Sequence, residues 1–153
     1  MEIEKKYLVK QLPENLALYE KDEIEQGYLC IKPTLRIRKK NDRYIFTYKG
    51  RPEDAPEDVL VADEVERPLT AEAYEKLREK TEGILIEKTR YRIPYRKYVI
   101  ELDIFHGTYE GRMLAEVEFP DVEEAKAFEP PDWFGEDVSG DPQYTNAYMA
   151  LGF

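Results

Sequence analysis

The sequence has little of what most enzymes use for covalent or zinc chemistry. Among 153 residues there is one cysteine, Cys30, and one histidine, His106. A lone cysteine forms no intramolecular disulfide and gives no sign of an oxidising compartment. One histidine and one thiol cannot build a multi-histidine or thiolate zinc site. Any metal is therefore expected to be a hard ion held by carboxylates and water. No convincing serine, cysteine or histidine nucleophile set is present. There is no long apolar run, so no membrane-spanning helix is expected. The charged opening Glu2-Ile3-Glu4-Lys5-Lys6 does not read as a signal peptide, and a cytoplasmic protein is the expectation. The formal net charge of -10 argues against general binding to nucleic acid or anionic membrane, while leaving room for a local basic site.

What is present is hairpin material. The length suits one domain, over 1–153, with a real core. Strands are expected over the first nine residues and at 23–31, 34–40, 43–50, 59–67, 84–93, 96–105 and 112–119. Asn41-Asp42 and Pro94-Tyr95 are read as tight turns. Leu12 to Leu18 reads as a short helical turn. Thr70 is a plausible N-cap for a helix carrying Ala73, Tyr74 and Leu77 on one stripe, ending before Gly83. A second helix is expected at 121–128, an acidic, proline-containing loop at 129–142, and a short terminal helix from 143 to 151. About eight strands, mostly in hairpins, imply an α+β fold: an eight-stranded antiparallel β-barrel that closes or nearly closes.

Strand parity is the informative test, because alternate side chains share a face. Glu2, Glu4 and Lys6 share one. Arg36 and Arg38 share another, opposed to Leu35 and Ile37. Thr47 and Lys49 alternate with Phe46 and Tyr48. Lys88, Arg90 and Arg92 share a parity. Glu101 and Asp103 alternate with Ile100, Leu102 and Ile104, and Glu116 and Glu118 with Ala115, Val117 and Phe119. A half-solvated sheet also has one polar face. Here, however, charges run in one sign by strand, and two helices need apolar partners. If the helices cover the apolar faces from outside, the charged faces line the lumen. Buried charge is costly unless it is paired or holds an ion. The natural guest is a polyanion with its divalent cations: arginine and lysine clamp phosphate oxygens, and carboxylates hold Mg²⁺ or Mn²⁺.

Glu2-Ile3-Glu4-Lys5-Lys6 resembles the ExExK signature of the CYTH superfamily, the triphosphate tunnel metalloenzymes. The resemblance continues in family order through Gln26-Gly27-Tyr28-Leu29, Leu35-Arg36-Ile37-Arg38, Phe46-Thr47-Tyr48-Lys49, Glu64-Val65-Glu66, Lys88-Thr89-Arg90, Glu101-Leu102-Asp103 and Ala115-Glu116-Val117-Glu118-Phe119. Gly140-Asp141-Pro142-Gln143-Tyr144-Thr145-Asn146 is similar to the segment before the family's terminal helix. The resemblance implies a closed tunnel that binds triphosphate with divalent metal. It implies hydrolysis of inorganic triphosphate by water that the metal activates, and in some members of nucleoside triphosphates. A class IV-type adenylyl cyclase, a thiamine triphosphatase and a non-catalytic polyphosphate-binding module are the alternatives. No aromatic or amide cluster is assignable to adenine.

On this reading Glu2, Glu4 and Glu118 hold the first metal. Glu116 and Asp103 support a second metal or its waters. Lys6, Arg36, Arg38, Lys49, Lys88 and Arg90 clamp the phosphate chain, and Glu2, Glu4, Lys6, Glu116 and Glu118 form the catalytic set. Glu64 and Glu66 orient water or the bases. The acidic net charge is no obstacle, since surface charges beyond roughly 8 Å are screened in physiological salt. The partner is a triphosphate-containing small molecule, with neither nucleic acid nor membrane involved. A homodimer is the ordinary expectation for a soluble enzyme. One departure stands out: relatives place a basic residue on a terminal helix that plugs one tunnel end, and from Gln143 to Phe153 this chain has no lysine or arginine. Tyr28 and Cys30 are expected in the core, His106 in solvent, and Trp133 and Phe134 as loop anchors.

Overall fold

The computed structural model describes residues 2–152, with Leu60 described by its backbone. Met1 and Phe153, the two ends of the expected domain, lie outside the described residues. The strands are β1 (Glu2–Val9), β2 (Glu20–Cys30), β3 (Thr34–Lys40), β4 (Arg43–Gly50), β5 (Leu60–Leu69), β6 (Glu82–Tyr95), β7 (Tyr98–His106), β8 (Met113–Glu118) and β9 (Phe134–Asp137). The helices are α1 (Ala71–Arg78), α2 (Val122–Ala127) and α3 (Asn146–Leu151), with short 3-10 turns at Leu16–Leu18, Gly107–Tyr109 and Pro142–Tyr144.

The sheet runs β5-β4-β3-β2-β6-β7-β8-β1-β9, and β5 also pairs with β1, so eight antiparallel strands close into a barrel. β1 makes that closure by dividing one edge. Glu2 to Glu4 pair with β5, while Tyr7 and Val9 pair with β9, which lies outside the ring. Closure leaves no long unpaired edge on these strands.

Local chemistry explains most boundaries. Asn41 takes a left-handed conformation (φ 55°) in the β3–β4 turn, and its side-chain carbonyl accepts from Glu23 N at 2.9 Å. Thr70 caps α1 by accepting from Ala73 N at 3.1 Å, as the sequence suggested. The β6–β7 turn lies later than expected. Pro94 is inside β6 opposite Val99, and Arg96 (φ 56°) makes the turn. Pairing with β2 stops at Arg92, so at Pro94 one side of β6 has no neighbour and the missing N–H costs no ladder bond. β9 lies in the stretch read as a loop. It has four residues and no alternating pattern, and exists because β1 offers it an edge.

The outer core lies under α2 and the β9 segment. Ile3, Tyr7, Val61, Leu102, Ala115 and Val117 point outward into a cluster with Ala125 and Phe134. Phe134 anchors its segment, with its ring 4.8 Å from Tyr7 and 4.7 Å from Trp133. α1 covers β3 and β4, where Tyr74 packs 5.0 Å from Tyr44. Thus α1 and α2 lie outside the barrel as expected. The terminal helix does not. α3 buries Ala147, Met149 and Ala150 against Tyr28, Ile86, Phe105 and Leu114. These four have the parity of Gln26, Lys88, Asp103 and Glu116, so α3 closes one end of the lumen with apolar contacts. Gly83 lets it approach: at φ +68°, a Cβ there would meet the Ala150 carbonyl oxygen at 2.0 Å.

Candidate active site in the barrel lumen

The lumen gathers the charges that parity assigned to it. Glu4, Lys6, Arg36, Arg38, Lys88, Arg90, Asp103 and Glu116 are all buried, while Glu2, Lys49 and Glu118 are more open. On one wall β1 faces β8, with Glu4 opposite Glu118 and Lys6 opposite Glu116. Lys6 Nζ lies 3.4 Å from Glu116 and donates to the Tyr144 carbonyl at 3.0 Å. Lys49 reaches from β4 to ion-pair with Glu2, and lies 3.7 Å from Glu4 and 3.9 Å from Glu64.

The neighbouring wall, on β6 and β7, is built on Asp103, which is wholly buried. Its carboxylate accepts from Arg90 Nε at 2.7 Å, from Arg90 Nη2 at 2.8 Å and from Lys88 Nζ at 2.8 Å. Lys88 also donates to Asn146 Oδ1 on α3 at 3.0 Å. Arg90 lies 3.4 Å from Glu101 and 3.9 Å from Glu116. Arg92 leaves this set and pairs with Glu20 and Asp22 at the rim.

Arg36 and Arg38 differ from the other bases. Among the described residues, neither has a carboxylate within ion-pair distance. Arg36 Nη2 donates to Thr47 Oγ1 at 3.2 Å, and Thr47 in turn donates to Glu66 at 3.3 Å. Among the described residues, Arg36 Nε is buried without a hydrogen-bond partner. Arg38 Nε donates to Gln26 Oε1 at 2.9 Å. Unpaired buried cations are costly, and an anion in the lumen would offset that cost.

The electrostatics follow from this arrangement. Burial, Arg36 and Arg90 push the Arg38 pKa down to about 9. Burial takes Lys88 down to about 7 against the pull of Asp103. Burial works against the charged forms of Asp103 and Glu116 too, but Arg90 and Lys88 hold Asp103 below the usual carboxylate range, and Lys6 and Arg90 hold Glu116 well below it. Glu4, Glu2 and Glu118 go the other way. Burial and the Glu116 charge raise Glu4 well above its ordinary value. Burial raises Glu2 despite Lys49, and burial with Glu2 and Glu101 raises Glu118.

Among the described residues no three carboxylate, histidine or cysteine side chains are drawn around a single point. The donor set nevertheless fits a hard divalent cation. It is all oxygen, and Glu4 directly opposite Glu118 is a like-charge pair that a cation would stabilise. Glu2, Glu4 and Glu118 are the lumen carboxylates whose proton affinity is raised, with Lys49 shared between Glu2 and Glu4.

Known proteins agree with this architecture. No family model matches the chain. An inorganic triphosphatase of Nitrosomonas europaea is 39% identical over 156 residues, covering 98% of this chain and 97% of the relative. The chain belongs to the CYTH, or triphosphate tunnel, family. A second member, an inorganic triphosphatase of Acetivibrio thermocellus, is 37% identical over 97% of this chain and 92% of its own length. The crystal structure of an inorganic triphosphatase superposes on the whole chain and 96% of its own, with TM-score 0.72 and 35% identity. A putative adenylyl cyclase from Hippeastrum, described as having a dominant triphosphatase activity, shares the fold at TM-score 0.62, with 16% identity and 83% of each chain covered.

The lumen brings Glu4, Lys6, Arg36, Arg38, Lys88, Arg90, Asp103 and Glu116 together as buried side chains, with Glu2 and Lys49 half-buried beside them and Glu118 exposed. It also contains residues that sequence reasoning passed over as ligand-facing groups: Gln26, Thr47, Asn146 and the Tyr144 carbonyl. Parity placed Thr47 beside Lys49, and Gln26 entered only within the family-like stretch Gln26-Gly27-Tyr28-Leu29, so neither was given a role. Tyr28 is buried in the core. Cys30 is only partly buried where β2 ends. His106 is not free in solvent: it is about half exposed, and its Nε2 is hydrogen-bonded to the Thr89 hydroxyl at 2.8 Å.

Proposed function

We propose that the protein hydrolyses inorganic triphosphate within the lumen, with Mg²⁺ or Mn²⁺ as the required cation. The observation that carries this reading is the pair of buried arginines, Arg36 and Arg38, without carboxylate partners among the described residues, while Lys6, Lys49, Lys88 and Arg90 are each paired. Names of relatives at 37–39% identity support the same activity.

In this reading Arg36 and Arg38 clamp the phosphate chain from one side. Lys88 and Arg90, held by Asp103 and two strands away on the far side of β2, contact it as well. Both oxygens of Asp103 are already engaged, so its role is to hold these two bases and not to ligate a metal. Lys6 and Lys49 lie between the phosphate chain and the β1–β8 carboxylates. Glu2, Glu4 and Glu118 would hold the cation, with Glu116 behind them. When bound, the cation supplies charge neutralisation and Lewis acidity toward phosphate oxygens. A carboxylate of the Glu2, Glu4, Glu118 set that the cation leaves free accepts the proton of the attacking water. In-line attack at a terminal phosphorus releases phosphate and leaves pyrophosphate. Catalysis of this kind is positioning and electrostatics, so no protein nucleophile is needed.

The test is a substrate panel of inorganic triphosphate, pyrophosphate, ATP, thiamine triphosphate and long-chain polyphosphate, each with Mg²⁺, Mn²⁺ or Co²⁺. Inorganic triphosphate is expected to be turned over fastest, and ATP more slowly. Cyclic AMP from ATP would replace the proposal with a cyclase. Tight triphosphate binding without turnover in every metal would replace it with a binding module.

A further inference from the structure

A clamp arginine must be held still without having its charge cancelled. The two sides of the lumen solve this differently. Arg90 is fixed by two hydrogen bonds to the Asp103 carboxylate, which orient it but also neutralise much of its field. Arg38 is fixed by an amide. Gln26 is fully buried and directly opposite Arg38 in the β2–β3 register. Its Oε1 accepts from Arg38 Nε at 2.9 Å, while its Nε2 donates to the Tyr28 hydroxyl at 2.7 Å. Arg38 Nε–H can only donate, so it takes the carbonyl end of the amide, and the Tyr28 hydroxyl receives the other end. With Nε2 committed to Tyr28, only the carbonyl oxygen is turned toward the guanidinium. Anchoring through Nε leaves both terminal nitrogens of Arg38 for the lumen.

We infer that Gln26, anchored at its other end by Tyr28, is a positioning residue that holds Arg38 for the triphosphate while leaving its positive charge uncompensated. Neutrality is the point of the device. A carboxylate at Gln26 would make a stronger bond to Arg38 and a weaker phosphate clamp. The same logic applies to Arg36, whose acceptor is the hydroxyl of Thr47. The inference rests on the proposed triphosphate reading.

The experiment compares wild-type protein with Gln26→Glu, Gln26→Leu and Tyr28→Phe. It measures kcat and KM for inorganic triphosphate in Mg²⁺, calorimetric triphosphate affinity, and the thermal midpoint of each protein. Gln26→Glu keeps the shape and the acceptor oxygen. It is expected to fold with a midpoint no lower than wild type and to raise KM and Kd at least 10-fold. Gln26→Leu, which frees the guanidinium, is expected to lower kcat/KM by 10-fold or more, with Tyr28→Phe intermediate. A Gln26→Glu enzyme with wild-type KM and affinity overturns the inference and leaves the triphosphate reading intact, as does a Gln26→Leu enzyme with wild-type kcat/KM. If Gln26→Glu does not fold, Tyr28→Phe decides: unchanged KM in that variant overturns the inference. Absence of triphosphate binding by wild-type protein defeats both.

Discussion

Replacing Asp103 with asparagine separates a structural holder from a metal ligand. Asp103 is wholly buried, and its two oxygens accept three short hydrogen bonds from Lys88 and Arg90. Asparagine keeps the shape and one acceptor but removes the charge and turns a donor toward a cation. Breaking a buried ion pair on one side costs about 3–5 kcal/mol, because the partner charge stays buried. Two features of the site point to the lower end. Lys88 already has its pKa down at about 7 and would shed its proton once the Asp103 charge is gone. Arg90 keeps Glu101 at 3.4 Å and Glu116 at 3.9 Å. We therefore expect a loss of about 3 kcal/mol, or roughly 6–12 °C in thermal midpoint for a chain of this length. The assay is urea and thermal unfolding followed by circular dichroism and by the fluorescence of the single tryptophan, Trp133, in EDTA and again in Mg²⁺. The loss is expected in both. A change under about 1 kcal/mol, or a gain of stability in EDTA, would refute the reasoning, since relief in EDTA is the behaviour of a carboxylate kept for a metal.

The other predictions concern the remaining parts of the lumen. Arg38→Ala removes a charged phosphate contact worth about 2.7–4 kcal/mol in a water-poor site, so kcat/KM for inorganic triphosphate should fall by roughly 100- to 1,000-fold in steady-state phosphate release. Glu4 has a folded-state pKa raised well above 4.5, so its stability contribution is present at acid pH and is lost as pH rises through the folded pKa. Glu4→Gln should therefore be inactive, yet more stable than wild type in EDTA at pH 8 by roughly 1 kcal/mol. That advantage should shrink toward pH 4.5 in thermal melts, and a less stable variant at pH 8 would contradict it. Gly83→Ala puts a Cβ against the Ala150 carbonyl at a positive φ, so α3 must shift. A destabilisation of about 2 kcal/mol by denaturant titration is expected, with higher hydrogen exchange in α3.

Much of this molecule is legible in the sequence because closure of a barrel turns parity into position. Glu2, Glu4 and Lys6 on β1, and Glu116 and Glu118 on β8, alternate with residues that α2 buries from outside, so period two suffices to assign them to the lumen. What parity cannot convey is which charges are spent on each other. Asp103 and Glu118 look alike in the sequence, yet one is saturated by Arg90 and Lys88 and the other faces Glu4. β9 was illegible because its strand character comes from the free half-edge of β1 and not from its own four residues. The plugging position of α3 was illegible from composition, because an apolar helix face fits the outside of a barrel as well as its end. The lumen side chains that turn inward near α3, namely Tyr28, Ile86, Phe105 and Leu114, are apolar, and that change along otherwise charged faces marks the closed end. Gln26, though part of a family-like stretch, was given no role because a neutral residue carries no sign to follow along a strand.

The central claim is tested most directly by the initial rate of phosphate release from inorganic triphosphate by the wild-type protein, measured with Mg²⁺ or Mn²⁺ and again with excess EDTA. The account predicts turnover with divalent cation, one phosphate and one pyrophosphate per event, and loss of nearly all of it in EDTA. A rate that survives EDTA, or no turnover with any divalent cation, would contradict it.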